Sequence, residues 1–347
     1  MVPPVRGDEA RAFDDPRSWY GKGIQEVIDL RSALVRSSFR AQVREVRRPG
    51  KLLDLTQEVA MASKPIDTEI RLAKPPSLRI RYDGVLSPMG PSAQVVDAKL
   101  AENPSIENRV ERVVSDYDVL ATDALWELHE GGIDVYQSSR LMTAGLLGMR
   151  KDRKLVPTRW AITAVDSSLG NRLRERVHQH QELSEIKLFS AEYLGNHFEI
   201  LLVPGPYTFE LIEIWMPRSV WIGHNPTEVL ADHEDWHPRT QYSILGGGYY
   251  ATRLPVLEYL DGIRRRATVL VVREISSEYW APLGVWVVRE TARHALAAKP
   301  QQFGSVEEAV KTMAQRLRVP SQRWVPKSKI LSDLKQQLKL ADFGVKS

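Results

Sequence analysis

The 347-residue chain contains no cysteine. That excludes disulfides, thiolate zinc clusters, iron–sulfur centres and cysteine nucleophiles, so any metal site must be built from His, Asp or Glu. No apolar run approaches the ~20 residues of a membrane-spanning helix, and mean hydropathy is −0.32. The opening Met1-Val2-Pro3-Pro4-Val5-Arg6 has no apolar stretch of the kind a secretory signal needs. These absences point to the cytoplasm and away from a membrane. Neither sign of charge is in large excess. Lys and Arg number 48 against 44 Asp and Glu, a formal net charge of +4. That balance is compatible with a nucleic-acid partner without demanding one.

What is present is a globular composition, 43% hydrophobic and 27% charged, with no internal repeat and no low-complexity block. The length suits one large domain or two ordinary ones. Helical spacing is expected over Ile24, Val27, Ile28, Leu30, Leu34 and Val35, and again from Asn108 to Arg150, where Gly131-Gly132 stops one helix and Asp134 caps the next. Two short strands are expected between Ile66 and Tyr82, split by Lys74-Pro75-Pro76. Trp160 to Val165 reads as a strand, with Asp166-Ser167-Ser168 capping a helix that runs to about His180. His197–Val203 and Tyr207–Trp215 read as a hairpin pair around Pro204-Gly205-Pro206. A helix follows from Tyr249 to Arg266, then strands at Thr268–Ile275 and Val285–Val288. Ser305 with Glu308 forms a capping box. The fold class is thus a mixed α/β or α+β body with a helical N-terminal half. A basic linker from Arg318 to Lys329 leads to a flexible C-terminal tail.

Several residue groups carry chemistry. His233-Glu234-Asp235-Trp236-His237 matches the HExxH zinc string, but Pro238 follows the second His at once and no third ligand is evident, so a polar loop explains it better. Gly246-Gly247-Gly248-Tyr249-Tyr250 precedes a helix and resembles a phosphate cradle, with Arg253 one turn in; close backbone packing explains the same glycines. Arg273-Glu274 and Arg289-Glu290 put charge beside apolar strands and favour a structural Arg–Glu network. Arg159 and Asp166, at the two ends of the expected strand, complete a candidate phosphate or nucleotide pocket with Gly247, Gly248, Tyr249, Arg253 and Glu258. Basic clusters at Arg44, Arg47 and Arg48, at Lys151, Arg153 and Lys154, and at Arg264-Arg265-Arg266 are candidates for DNA contact. Aromatics interleaved for base stacking are not evident among them.

The tail is more specific. Gln337-Leu338-Lys339-Leu340-Ala341-Asp342-Phe343 fits Q-x-x-h-x-x-a, the core of a sliding-clamp (PCNA) interaction box. One helical turn puts Leu340 and Phe343 on one side as a plug, and Gln337 can hydrogen-bond beside it. The second aromatic usual in such boxes is Gly344 here.

The combination of segments resembles the Nre family of archaeal DNA repair proteins. The resemblance rests on Asp15-Pro16-Arg17-Ser18-Trp19-Tyr20-Gly21, Leu30–Arg36, Gly90-Pro91-Ser92-Ala93 and Val113-Val114-Ser115-Asp116. It continues through Lys154–Trp160, Ile162–Asp166, Gly247-Gly248-Tyr249-Tyr250-Ala251 and Pro282-Leu283-Gly284-Val285-Trp286. It covers nearly the whole chain, in order, and is nearest to the NreA-like branch, whose members end in a clamp-binding box. It implies an Nre N-terminal region over 1–235, an Nre C-terminal region over 236–320 and a linker with clamp-binding tail over 321–347. It also implies DNA repair as the function, with the sliding clamp and DNA as partners. Typical members carry a cysteine zinc finger at their start. This chain has no cysteine, so no cofactor is carried over. The competing reading is a nucleotide- or phosphate-binding hydrolase or nuclease built on the candidate pocket; a third is an adaptor without DNA contact.

Overall fold

The structure, a computed structural model, describes residues 3–5, 7–77, 79–237 and 239–343, with side chains except at 8 and 337–343. The chain divides into two compact units, Met1–Leu169 with Pro282–Trp286, and Gly170–Ala281 with Val287–Ser347. The first division falls at 169/170, whereas the sequence places its first boundary at 235.

The first unit holds helices α1 (Ile24–Ala33), α2 (Lys51–Met61), α3 (Asn108–Ser115), α4 (Ala121–Glu130) and α5 (Val135–Thr143). Strands β1 (Arg36–Ser38), β2 (Thr68–Leu72) and β3 (Ser92–Leu100) form a sheet in the order β1-β3-β2. The helical stretch from Asn108 is therefore accompanied by a sheet. Val110, Val113, Ala124, Leu125, Leu128 and Leu141 are buried, each larger side chain contributing ~1.5–3 kcal/mol through burial. Gly131 caps α4, and the Asp134 carboxylate accepts from the amides of Tyr136 and Gln137 at the start of α5. Both caps are local chemistry and match the sequence. Of the two strands expected between Ile66 and Tyr82, only β2 forms among the described residues. Beyond Lys74-Pro75-Pro76 there are isolated bridges at Ser77 and Arg81.

Helix α6 (Thr158–His178) corrects the expected strand at Trp160–Val165. Ala161, Val165, Leu169, Leu173 and Val177 recur every four residues and are all buried. That stripe runs well past the short window that suggested a strand, and burial along it outweighs the β-branched residues' local preference. Asp166 accordingly lies inside the helix rather than capping one.

The second unit is built on a six-stranded sheet. Its strands are β4 (Ile186–Tyr193), β5 (Asn196–Val203), β6 (Thr208–Trp215), β7 (Glu228–Glu234), β8 (Thr268–Ile275) and β9 (Gln301–Phe303). Their order is β9-β4-β5-β8-β6-β7. The expected hairpin of β5 with β6 does not form. Strand β8 inserts between them, antiparallel to β5 and parallel to β6. Helices α7 (Gly247–Gly262), α8 (Trp286–Ala297), α9 (Val306–Arg316) and α10 (Lys329–Phe343) complete the fold. The strand expected at Val285–Val288 is the start of α8. Its Val287, Val288, Thr291, Ala292, Ala295 and Leu296 are buried at helical spacing.

Both sheet faces are covered. On one, Leu270, Val272, Leu201, Ile212 and Ile214 pack with Ala309 and Met313 of α9 and with Trp324, Ile330 and Leu331. On the other, Phe209 meets Tyr249 and Phe189 meets Tyr259, in each case with ring centroids 5.2 Å apart, which seats α7 on that face. All eight residues of β8 are buried as a result. Arg273 and Glu274 both point inward, to opposite faces. The stretch Arg318 to Lys329, expected to be a flexible linker, is packed. Val319 and Trp324 are core residues, and the amides of Arg318 and Val319 donate to Glu274 at 3.0 and 2.7 Å.

Candidate functional site

In the first unit, two basic segments far apart in sequence become one surface. The Arg47 guanidinium donates to the Lys151 carbonyl, and the Leu155 amide donates to the Val43 carbonyl at 2.8 Å. Arg44, Arg47, Arg48, Lys151 and Lys154 are all exposed, with Glu45 and Asp152 interspersed. None of the five forms an ion pair among the described residues. Their charged groups are therefore not tied up in close pairs. Tyr117, 48% exposed, lies beneath Arg150 and Arg153, whose guanidinium carbons are 5.4 and 4.5 Å from its ring centroid. The sequence did not suggest this aromatic beside the cluster. Contact across the fold brings it there.

Arg153 differs from its neighbours. It is buried and donates to the carbonyls of Gly148 and Asp116, both at 2.8 Å. Burial pulls its pKa down, with Tyr117 and Asp116 opposing. Its guanidinium is engaged in tying the 148–153 turn to residue 116 and is turned away from any surface partner.

The residues of the candidate phosphate pocket belong to both compact units. Arg159 and Asp166 belong to the first unit. There Arg159 is exposed, 3.5 Å from the Asp83 carboxylate, and Asp166 is buried within α6. Gly247, Gly248, Tyr249, Arg253 and Glu258 lie on α7 in the second unit, and the last four have neighbours from that unit. A Cβ at Gly248 would stand 3.0 Å from Glu213 Oε1. Glu213 is paired with Arg273 at 2.7 Å and accepts from Trp215 Nε1 at 3.2 Å, while Arg273 also donates to Asn196 Oδ1. The start of α7 thus faces a carboxylate supplied by the protein itself.

Arg253 is fully buried and pairs with Glu234 at 2.6 Å; Tyr207 donates its hydroxyl to the same oxygen at 3.1 Å, and Arg253 Nη2 donates to Asn171 at 3.0 Å. Glu258 takes a two-pronged pair from Arg293 at 2.9 and 3.0 Å. Tyr249 sits under the Arg239 guanidinium, 4.7 Å from its ring centroid. Burial pushes the Tyr249 phenol well up, and the Glu234 carboxylate adds to this. Arg239 in turn grips Asp232 at 3.0 and 2.8 Å, and Ser243 Oγ donates to Asp232 at 2.6 Å. Glu234, Glu213 and Asp232 escaped sequence reasoning as structural anchors. Glu213 alone lies on an expected strand, Tyr207–Trp215; β7, which carries Asp232 and Glu234, is not among the expected elements.

The HExxH string is not helical. His233 and Glu234 end β7 and face opposite ways, Glu234 buried and His233 exposed, while His237 stands exposed beyond the strand. Among the described residues no group of three or more His, Asp or Glu is placed to hold a metal.

The tail helix is anchored at its start. Buried Glu210 accepts from Ser328 Oγ at 2.5 Å and from the amides of Lys329 and Ile330 at 2.7 and 3.1 Å. The backbone stays helical to Phe343; the side chains of Gln337, Leu340 and Phe343 lie outside the described residues.

Two family models cover the chain between them: archaeal Nre, N-terminal, over residues 1–222, and archaeal Nre, C-terminal, over residues 234–343. The chain belongs to the archaeal Nre family. This Nre protein is 46% identical over 308 residues to a DNA repair protein NreA of Archaeoglobus fulgidus, covering 88% of this chain and 77% of the relative. It is 37% identical over 336 residues to DNA repair protein NreB of the same organism, covering 97% and 84%. It is 38% identical over 331 residues to DNA repair protein NreA of Haloferax volcanii, covering 92% and 78%. No solved structure matches the chain. The N-terminal Nre model runs into the second compact unit, past β6, so the family division and the structural division differ. Among the described residues no helix of this Nre protein is long and apolar enough to cross a membrane.

Proposed function

We propose that this Nre protein acts in DNA repair, holding DNA phosphates on the Arg44, Arg47, Arg48, Lys151 and Lys154 surface while its C-terminal helix docks on the sliding clamp. Its relatives are named DNA repair proteins. The observation that carries the DNA-contact part is the Arg47–Lys151 junction, which gathers unpaired cations from two segments onto one face beside Tyr117. Cations on one face neutralise neighbouring phosphates and release counterions, so affinity falls with salt. Clamp docking rests on Gln337, Leu340 and Phe343 as a hydrophobic plug with a polar neighbour. The start of α10, upstream of that segment, is anchored by Glu210 and by Ile330 and Leu331 in the core.

DNA retention measured across a salt series tests the first part. The variant Arg48→Glu with Lys154→Glu should bind more weakly, with a salt slope shallower by about one for each phosphate no longer neutralised. Salt-independent wild-type binding would end the proposal. Calorimetric titration into the cognate clamp tests the second part, and Phe343→Ala should abolish binding. Equal binding by both forms, or none by either, removes clamp docking.

The competing hydrolase or nuclease reading has less support. Glu213 already faces Gly248, where an incoming phosphate would meet a carboxylate. Phosphate or nucleotide found bound at Gly247–Tyr249 would restore it.

A further inference from the structure

We infer that Arg174, His178 and Arg266 form a phosphate-binding site in the second unit. Arg174 and His178 are one turn apart on α6 and project from the same side of the helix. Arg174 is only 6% exposed. Its Nε and Nη1 are sealed from solvent and have no hydrogen-bond partner among the described residues. Nor does any carboxylate among the described residues pair with it. A guanidinium cannot shed its charge at any ordinary pH, and leaving one buried and unpaired is costly. An acceptor from outside the chain removes that cost.

The neighbours share the deficit. His178 Nε2 and Arg266 Nε are also sealed and partnerless among the described residues. Arg266 is held in place by its other nitrogens, Nη1 donating to the His178 carbonyl at 3.2 Å and Nη2 to Glu182 at 3.0 Å. The His178 ring packs edge-on against Tyr207 with centroids 5.8 Å apart. Of the acids nearby, Glu182 is engaged by Arg266, and Glu234 pairs with Arg253 through Oε1, its buried Oε2 having no hydrogen-bond partner among the described residues. Burial lowers the His178 pKa, and the Arg174 and Arg266 charges lower it further, as expected where positive charge gathers without an anion.

Arg174 and Arg266, on different elements, both bring positive charge close to His178. Several unmet donors suit an oxyanion with several acceptor oxygens. His178 and Arg266 are only half-buried, so the site opens on their side. The Trp236 backbone contacts His178, while its ring, 61% exposed, packs against His237 with centroids 4.4 Å apart. The phosphate can be that of a free nucleotide or of a DNA strand. The DNA version deepens the function proposed above, but the site uses none of the Arg44–Lys154 surface.

The test is calorimetric titration of the full chain at fixed ionic strength with three probes: inorganic phosphate, a deoxynucleoside monophosphate, and a short single-stranded oligonucleotide without terminal phosphates. Inorganic phosphate should bind, and Arg174→Gln and Arg266→Gln should each weaken it about ten- to hundredfold. Tighter binding of the monophosphate assigns the site to free nucleotides; tighter binding of the oligonucleotide by the Arg48→Glu with Lys154→Glu protein, lost when Arg266→Gln is added, assigns it to strand phosphates. Arg48→Glu with Lys154→Glu should leave phosphate binding unchanged, so failure of the DNA surface and failure of this site are separable. If Arg174→Gln does not fold, Arg266→Gln and a phosphate-dependent shift of the wild-type His178 imidazole resonance decide. No binding of any probe, or wild-type affinity in both variants, overturns the site and leaves ordered water as the partner of Arg174.

Discussion

The Arg47 guanidinium donates to the backbone carbonyl of Lys151, 104 residues further along the chain. That contact turns two unremarkable basic segments into a single face. It also separates arginines that look alike in sequence. Arg48 is exposed, whereas Arg153 is buried with two carbonyl partners.

The two arginines should therefore fail differently. Arg153→Ala leaves the Gly148 and Asp116 carbonyls unmet and should cost ~1.5–3 kcal/mol of stability. Arg48→Ala should change stability by less than ~0.5 kcal/mol while lowering DNA retention. Denaturant unfolding of both proteins, with a filter-binding assay on the folded ones, checks this. Equal stability loss would mean the division between buried and surface arginines is wrong.

Gly248→Ala should destabilise. Helix propensity favours alanine by up to ~1 kcal/mol, less at a helix start. Against this, the new Cβ would stand 3.0 Å from Glu213 Oε1, and Glu213 is pinned by Arg273 and Trp215 and cannot yield. Overpacking of this kind costs ~1–3 kcal/mol, so the net change is a loss. A neutral or stabilising result in chemical denaturation would show that Gly248 is not retained for close packing.

Removing one member of the Arg253–Glu234 pair should be severe. Arg253→Met strands a buried carboxylate, at ~3–5 kcal/mol. Adding Glu234→Gln removes the stranded charge and should recover part of that loss. A double variant no more stable than Arg253→Met alone would argue that the hydrogen bonds, not the charges, carry the interaction.

Asp232 gives the fold a pH dependence of known sign. Burial raises its carboxyl, but hydrogen bonds from Arg239 and Ser243 more than reverse this and hold it below the ordinary aspartate value of 3.8. A depressed folded-state pKa contributes stability that is present above the unfolded value and lost as pH falls through the folded value. Asp232→Asn should therefore be less stable than wild type near neutrality, the gap narrowing as pH drops below 3.8. A gap that stays constant across that range would falsify the assignment.

What the sequence made legible was local. Asp134 and Ser305 cap helices because a short polar side chain reaches amides two or three residues on, and nothing distant is needed. Thr268–Ile275 is a strand as its β-branched run implies. Trp160–Val165 misled because six residues of apolar and β-branched character do not distinguish strand from helix; the period becomes visible only when Leu169, Leu173 and Val177 are included. The β5–β6 hairpin misled because adjacency along the chain does not decide pairing when a later strand can insert between.

The sequence alone determined the absence of thiol chemistry, the positions of caps and glycine stops, and a run of matching segments sufficient to point to the Nre family. Tertiary structure decided which charges are free. Arg44, Arg48 and Lys154 read no differently from Arg153, Arg253 and Arg273 in one dimension. Folding buries the latter three among carbonyls and carboxylates, and leaves the former in water. The reason is that desolvating a charge depends on what arrives from distant segments: Glu234 and Tyr207 for Arg253, Glu213 and Asn196 for Arg273, Gly148 and Asp116 for Arg153. Only the assembled fold brings those partners within hydrogen-bonding reach.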